Sequence, residues 1–330
     1  MQSSSKVSQL NQTDNKLVEV ENLVVRFPIL DNGHRAYIRP VDEVSFTIDS
    51  GEVLALVGES GSGKSTIAKA LLRIVEPQSG TIRVQGNDVT HWRGGRLTTY
   101  RKNVQMVFQD PFGSLNPVRT VEHHIAYPLQ KHRHLHGRAL RDMVGSLLER
   151  VGLTPVEETR VKYPHELSGG QRQRVAIARA LAVNPKFLVA DEPISMLDVS
   201  IRAGILKLLN ELRSEFNLGY LYITHDLASA RYFGHRIMVL YGGKVMETAP
   251  SHELIRNPSH PYTRLLLAAT PGSGLDGPLP ETSNQAPSLI EGRTGCPFAE
   301  RCPLVVDACR KEDPPVVRLS EGHEVACHVV

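Results

Sequence analysis

A glycine-rich octapeptide carries the most specific chemistry in this sequence. Residues 58–65 read GESGSGKS and match the phosphate-binding loop (P-loop) pattern G-x-x-x-x-G-K-[ST]. Its glycines let the backbone turn tightly and aim N–H groups at phosphate oxygens, to which the following helix adds its positive end. Lys64 would reach the β- and γ-phosphates, and the Ser65 hydroxyl would hold Mg²⁺. A strand-like run at 52–57 and a helical pattern at 65–75 flank the loop, as this chemistry requires.

Two adjacent carboxylates form a second candidate site. Asp191 and Glu192 directly follow residues 187–190, a short apolar run typical of a buried parallel strand. Open α/β sheets place ligands at the carboxyl ends of their strands, so we expect both carboxylates there. Asp191 is then the expected Mg²⁺ partner, and Glu192 is the candidate base that activates the attacking water. Two solvated carboxylates at a strand end are the alternative.

The LSGGQ segment at residues 167–171 predicts a second anion site. It combines a serine hydroxyl, exposed backbone N–H groups and the start of a helical pattern at 172–183. The alternative is purely structural, with Ser168 as a helix N-cap and the two glycines as a loop.

Along the chain these features come in the order P-loop, Gln109, LSGGQ, Asp191-Glu192 and His225. This order resembles the nucleotide-binding subunit of ATP-binding cassette (ABC) transporters. The resemblance covers about residues 17–250. It implies an α/β fold, a P-loop NTPase of the ABC type with a mixed central sheet, an antiparallel β subdomain and a helical subdomain at about 110–170. The single P-loop then requires a second cassette on another chain, either a copy of this one or a paralogue.

In that family two cassettes pair head to tail, and each ATP lies between the P-loop of one chain and the LSGGQ segment of the other. The resemblance therefore assigns Glu192, Gln109 and His225 to catalysis, Mg²⁺ to Ser65, Gln109 and Asp191, and adenine stacking to Phe27, with Tyr37 as second choice. The implied ATP contacts are Phe27, Gly58, Ser60, Gly61, Gly63, Lys64, Ser65, Thr66, Ser168, Gly169, Gly170, Gln171 and Asp198. Residues 111–117 read as a loop, which is either a simple turn or the family's cleft for a membrane subunit.

Composition narrows the class of protein. The chain has 330 residues, of which 41% are hydrophobic and 22% charged, and a formal net charge of +3. This charge is too small to argue for a nucleic-acid partner. No apolar stretch approaches the length of a membrane span and no secretory signal is recognisable, so we expect a cytosolic chain that reaches the membrane only through a partner.

The remaining segments carry signals of secondary structure and linkers only. Residues 1–16, rich in Ser, Gln and Asn, predict a disordered tail. Antiparallel strands are predicted at 17–25 and 44–48 with a loop at 28–40 between them, parallel strands at 104–108, 187–190 and 219–224, a helix at 138–151, and a hairpin at 238–249. Residues 251–294 predict a helix at 260–271 and a linker rich in Pro, Gly and Ser. Residues 295–330 are expected to form a four-cysteine module. The linker would separate this module from the ATP site.

All the cysteines lie in that last module, at Cys296, Cys302, Cys309 and Cys327. Structural disulfides are not expected in a cytosolic chain. Five, six and seventeen residues separate the successive cysteines, which is neither the close pairing usual for zinc nor the spacing of ferredoxins. The residues alone leave zinc, a 4Fe-4S cluster and metal-free thiols open.

The segment CPFAERCP at 296–303 resembles the C-terminal extension of the dipeptide and oligopeptide permease subfamily, in which members carry a 4Fe-4S cluster. The resemblance implies such a cluster here. It also implies an ATPase subunit at the cytoplasmic face of the membrane, bound to two transmembrane permease subunits and served by an extracytoplasmic solute-binding protein. Related importers take nickel or sugars.

A soluble ABC ATPase acting on nucleic acid or ribosomes is a different class, disfavoured because the chain has neither heptad repeats nor a second P-loop. A redox sensor with a structural ATP is disfavoured by the complete catalytic set.

Overall fold

The computed structural model describes residues 16–31, 33–270 and 287–330, so the predicted tail up to residue 15 and part of the predicted linker lie outside the described residues. The chain divides into two compact units. The first unit combines the residues up to His91 with those from Leu221 onward, and the second unit is Trp92–Tyr220.

Strands and helices alternate through most of the chain. In chain order they are β1 (Lys16–Asp31), β2 (His34–Asp49), β3 (Val53–Val57), α1 (Lys64–Leu71), β4 (Ser79–Val84), β5 (Asn87–Asp88), α2 (Gly94–Asn103), β6 (Val104–Val107), α3 (Pro111–Ser114), α4 (Val121–Arg133), α5 (Gly137–Arg150), α6 (Val156–Val161), α7 (Gly169–Leu181), β7 (Phe187–Asp191), α8 (Val199–Phe216), β8 (Gly219–Thr224), α9 (Leu227–Phe233), β9 (Arg236–Tyr241), β10 (Lys244–Pro250), α10 (Ser251–Arg256), α11 (Pro261–Ala268), α12 (Asp307–Lys311), β11 (Val316–Ser320) and β12 (His323–Ala326). Short 3₁₀ turns lie at Pro164–Glu166 and Ala299–Arg301.

An antiparallel sheet in the order β2-β1-β4-β5 forms one layer of the first unit. Apolar residues such as Val20 and Phe46 pair across β1 and β2 and are buried. This confirms the antiparallel strands predicted from alternating hydrophobicity. Lys16 is the first residue of β1 and not the end of a tail.

The predicted loop at 28–40 is wrong, because β1 and β2 continue as a paired hairpin through most of it. Pro28 lies on β1 and pairs with Tyr37. The described pairing of β1 with β4 ends at Val24, so at Pro28 this side of β1 has no ladder partner. A proline there removes no hydrogen bond to β4.

A second sheet in the first unit holds the P-loop. β3 is entirely apolar and buried and pairs in parallel with β9, while β9 and β10 form the predicted hairpin around Gly242 and Gly243. Beyond β10 the sheet continues through β12 to β11, which come from the C-terminal module. The continuous apolar sequence of β3 explains its central place, since both of its faces are covered.

The second unit is largely helical, and its two strands β6 and β7 pair in parallel. Val121, Ile125 and Leu129 repeat every four residues along one face of α4 and are buried, which is the helical pattern of a packed face. The helix predicted at 138–151 is confirmed as α5. The stretch at 111–117 is not wholly a loop, because Pro111 starts the short helix α3, as its fixed φ allows at a first helical position. In the part of the chain that is described, no helix is both long enough and apolar enough to cross a membrane.

The C-terminal module is not separated from the rest of the first unit, contrary to the sequence-based expectation. The described end of the predicted linker runs along the β1–β2 hairpin, where the Arg39 N–H donates to the Leu289 carbonyl and the Glu291 N–H to the Tyr37 carbonyl, each at 2.8 Å. β12 then pairs with β10. The pairings of residues 37–39 with residues 289–291 join segments more than 200 positions apart along the chain, so no local sequence pattern predicts them.

His260 stabilises the start of α11 in its neutral form. Its Nδ1 accepts a hydrogen bond from the Tyr262 N–H at 3.0 Å, and burial lowers the pKa of His260 to about 4. Protonation of Nδ1 would remove this acceptor and place a charge among buried groups.

We expect unfolding free energy to fall as the pH drops from about 6.5 toward 4, because an unfolded histidine takes up a proton near its ordinary pKa of about 6.5 while the folded one does not. The slope from this one group is at most about 1.4 kcal/mol per pH unit. His260→Asn should flatten that slope, since asparagine caps a helix without titrating. Urea unfolding at pH 7 and pH 5 measures it, with the exposed His252→Asn as control. Equal slopes in His260→Asn and the parent would contradict the assignment.

Candidate functional site

The P-loop connects the buried strand β3 to helix α1 and is packed closely against its surroundings. A Cβ atom on Gly63 would collide with the carbonyl oxygen of Pro40, and one on Gly58 with the carbonyl oxygen of Leu240. Gly63 also has a φ of +108°, a conformation that side-chain-bearing residues rarely adopt. Gly58 is therefore required by space, and Gly63 by space and by conformation.

Lys64 lies inside the loop that it follows. Its ammonium donates to the carbonyls of Gly58 at 2.7 Å and Glu59 at 2.8 Å and to the Ser62 hydroxyl at 3.3 Å. The residue is buried, and α1 begins at it without a side-chain cap. A buried cation and an uncapped helix N-terminus concentrate positive potential at one place, where polyphosphate would bind.

The other predicted ATP contacts of the loop remain accessible. Ser60, Gly61 and Ser65 are exposed, while Thr66 is half-buried and donates its N–H to the Gly63 carbonyl at 3.0 Å. The Ser65 hydroxyl belongs to the second residue of α1, so it lies beside the helix N-terminus.

Three further predicted residues of the first unit are placed as follows. His225 is exposed and directly follows β8, the strand next to β3 in the sheet. Phe27 lies half-buried on β1 opposite Ile38. The Arg26 guanidinium covers one face of the Tyr37 ring at 4.5 Å, and adenine stacking by Phe27 stays a prediction.

Gln109 and Glu192 meet in the second unit. β6 and β7 run in parallel with Val107 opposite Ala190, so the residues that follow both strands emerge at the same edge. The Gln109 amide donates to a Glu192 carboxylate oxygen at 3.1 Å. The sequence assigned both residues to catalysis without predicting this contact.

The backbone of Glu192 explains how two adjacent carboxylates take different places. Asp191 ends β7 and is buried, whereas Glu192 is half-buried with a left-handed φ of +45°. Such a conformation costs a non-glycine residue about 1 kcal/mol and is often found at functional sites. The Ser195 N–H and hydroxyl both bond to the Glu192 carbonyl, at 3.2 and 3.0 Å, and hold the turn.

The LSGGQ segment starts helix α7 through a reciprocal capping box. The Ser168 hydroxyl accepts from the Gln171 N–H at 3.2 Å, and the Ser168 N–H donates to the Gln171 side chain at 2.9 Å. Ser168 is exposed, whereas Gly170 is buried so close to Ile201 that a Cβ would clash. The N-cap expected as the structural alternative is thus present, and Asp198 likewise precedes helix α8 and is exposed.

Two residues that the sequence analysis left without a role contact the P-loop. The Tyr262 hydroxyl accepts from the Glu59 N–H at 3.0 Å, and Arg301 forms a salt bridge with the Glu59 carboxylate at 2.8 Å. No local motif signals either contact, since both partners are more than 200 positions away along the chain. Arg301 does lie inside the CPFAERCP segment.

The four cysteines are free thiols, two buried and two half-buried. Burial raises the pKa of Cys296 to about 11, and the proximity of the other three cysteines adds to this rise. Burial also raises the pKa of Cys302. Among the residues that the structure describes, no group of three or more His, Cys, Asp or Glu side chains is arranged to hold one metal ion.

A P-loop around a buried lysine, a glutamine–glutamate pair at strand ends and a capped LSGGQ helix are features of a P-loop ATPase of the cassette type. Comparison with family models agrees: residues 41–195 match the ABC transporter family, and residues 246–309 match the oligopeptide/dipeptide transporter C-terminal region.

Relatives match over most of their length. The chain is 44% identical to the oligopeptide transport ATP-binding protein AppF of Bacillus subtilis, over 88% of this chain and 90% of that protein. It is 43% identical to the di/tripeptide transport ATP-binding protein DppF of Pseudomonas aeruginosa, over 91% and 92%. The chain therefore belongs to the ATP-binding proteins of the ABC transporter family, and it is an ATPase.

Solved structures show the same cassette fold. The dimeric ATP-binding cassette MJ0796, in a post-hydrolysis state bound to ADP and Pi, is 32% identical with a TM-score of 0.64, and the match covers 71% of this chain and 99% of that one. CbiO1 of Clostridium perfringens, part of the ABC transporter complex cbiONQ, is 28% identical with a TM-score of 0.64, over 74% and 92%. The predicted fold class is confirmed.

Gly63→Ala should weaken ATP binding by more than ~10-fold, because its Cβ would push the P-loop away from the Pro40 carbonyl. Isothermal titration with ATP measures the effect. Gly86→Ala is the matched control, since Gly86 also has a positive φ, +73°, but has open space around its Cα and lies outside the P-loop. ATP affinity in Gly63→Ala equal to that of the control would show that the close packing does not shape the loop.

Proposed function

We propose that this chain is the ATP-hydrolysing subunit of an importer for dipeptides or oligopeptides. The observation that carries the proposal is the match of residues 246–309 to the oligopeptide/dipeptide transporter C-terminal region, beside relatives named for peptide transport. The glutathione import protein GsiA of Escherichia coli is 47% identical over 83% of this chain, but the match covers 43% of that protein. Its substrate is itself a small peptide, which supports the same solute class.

The residues divide the work of hydrolysis as follows. The P-loop N–H groups and Lys64 bind the phosphates, and Glu192 accepts a proton from the attacking water. Gln109 donates to Glu192 at 3.1 Å, which orients the carboxylate and is compatible with holding the same water. His225 contacts the γ-phosphate. Ser65, Gln109 and Asp191 carry hydroxyl, amide and carboxylate oxygens, which Mg²⁺ prefers, and by the resemblance they would hold the ion, which would offset phosphate charge.

The LSGGQ segment acts across a pair of cassettes. Ser168 and Gly170 serve the γ-phosphate held by the partner chain, together with Gly169, Gln171 and Asp198 at the same interface. The Ser168 hydroxyl is exposed and its helix start is already capped, so the segment is formed before any partner arrives. The solved MJ0796 cassettes are described as dimeric, which supports this arrangement. The partner is a second copy or a paralogue.

Two transmembrane permease subunits complete the transporter, with a solute-binding protein on the far side of the membrane. The chain then lies peripherally on the cytoplasmic face, and closure and reopening of the cassette pair drive the permeases. An importer of nickel or sugars would use the same cassette, and uptake assays separate these solutes. The alternative of a soluble ATPase acting on nucleic acid or ribosomes receives no support from the relatives compared here, which are named for import or transport.

The four cysteines would hold a 4Fe-4S cluster, as the resemblance of residues 296–303 to the permease extension implies. Thiolates that share one zinc must lie close together, because each Zn–S bond is about 2.3 Å. A four-iron cluster takes each thiolate on a different iron and so accepts wider spacing. Cys296, Cys302, Cys309 and Cys327 would hold it, and binding must displace the thiol protons that burial retains.

Glu192→Gln should keep ATP binding while lowering turnover by at least ~10²-fold, because it removes the base and leaves the phosphate contacts intact. The variant should accumulate as an ATP-bound pair of cassettes on size exclusion.

A strain carrying this allele should fail to take up labelled di- and oligopeptides while taking up nickel and sugars normally. Near-normal hydrolysis in the purified transporter would rule out Glu192 as the base, and loss of nickel or sugar uptake alone would change the solute.

Protein purified without oxygen should be brown, absorb broadly near ~400 nm and contain about four irons per chain. Cys302→Ser should lose the colour and the iron, while Ser320→Ala, in β11 of the same module, should retain both. Colourless protein with one zinc per chain would favour the zinc alternative, and protein free of both metals would remove the cluster from the proposal.

A further inference from the structure

The 3₁₀ turn Ala299–Arg301 brings an arginine from the cysteine module onto the P-loop. Arg301 Nη1 donates to both carboxylate oxygens of Glu59, at 3.0 and 2.8 Å, and to the Tyr241 hydroxyl at 3.2 Å. Only 12% of the Arg301 side chain is exposed, against 36% for Glu59. The hydrogen bond to Glu59 raises the pKa of Arg301, so the guanidinium stays charged.

A buried aromatic cluster holds this arginine in place. The rings of Tyr241, Tyr262 and Phe298 lie within 4.5 to 5.3 Å of one another, and Arg301 lies 5.6 Å from the Tyr241 ring and 5.8 Å from the Phe298 ring. Tyr262 also accepts the Glu59 N–H. Both the backbone and the carboxylate of Glu59 are therefore bound by residues from Tyr241 onward, far from the P-loop along the chain.

Glu59 is an unfavourable residue for a loop that binds polyphosphate. It is the second residue of the GESGSGKS motif, so its negative carboxylate belongs to the loop that would bind negatively charged phosphates. Like charges close together repel. Arg301 supplies the compensating charge and fixes the carboxylate in one orientation. The Lys64 ammonium bonds to the Glu59 backbone carbonyl at 2.8 Å.

We propose that Arg301 is a positioning residue for ATP binding, through which the cysteine module neutralises Glu59 and holds the P-loop ready for polyphosphate. The inference rests on the assignment of the P-loop to ATP. It gives the C-terminal module a direct connection to the nucleotide site.

The test is a set of variants of the full chain, titrated with ATP and Mg²⁺. Arg301→Met keeps length and apolar packing but removes the charge, and it should raise the ATP Kd about three- to tenfold, the range expected for a partly buried ion pair. The loss should shrink at high salt, where the repulsion from Glu59 is screened.

Arg301→Lys should restore most of the affinity, because the contact to Glu59 uses a single nitrogen. Arg310→Met, which removes a more exposed ion pair with Glu300 in the same module, is the matched control and should leave the Kd unchanged.

A double-mutant cycle with Glu59→Gln separates this role from a general loss of stability. Arg301→Met should cost much less in the Glu59→Gln background, since no uncompensated acid remains. An equal loss of affinity in both backgrounds, or a parent-like Kd in Arg301→Met, would overturn the inference. If the parent chain bound no ATP at all, the proposed function would fail as well, so the two failures are distinguishable.

Discussion

The first unit depends on one close contact, the approach of the P-loop backbone to the carbonyls of Pro40 and Leu240. No side chain fits at Gly58 or Gly63, so β2 and β9 can lie directly against the loop. Lys64 then fills its interior and bonds to the loop's own oxygens. Neighbouring strands thus fix the shape of the phosphate site. The glycines of the motif allow this close packing, because they carry no side chain.

In the second unit, local stability and proposed chemistry use the same groups. The Ser168 hydroxyl caps α7, yet its residue stays exposed at the helix start. Glu192 takes a strained backbone conformation that a serine turn stabilises, and its carboxylate then meets Gln109. The structural and the functional interpretations of these motifs are compatible, because a capped helix start still presents its N-terminal end to an anion.

Short-range patterns predicted the cassette well. The P-loop lies between a buried strand and a helix, and Asp191 ends a parallel strand, because apolar runs and glycine spacing report local structure directly. The hairpin at residues 28–40 was missed, because whether a strand edge is paired cannot be known from its own residues. The contact of Arg301 with Glu59 was equally hidden, because it joins segments more than 200 positions apart.

The place of β12 has a practical consequence for shortened chains. β12 covers the edge of β10, and β11 lies outside it. A cassette cut after β10 would lose the pairing of β10 with β12 and leave the backbone N–H and C=O groups of that edge exposed. Open edges recruit strands from other molecules, so such a fragment would tend to aggregate as its concentration rises. The extension therefore covers β10 and makes β11 the outermost strand on that side of the described sheet, independently of what its cysteines bind.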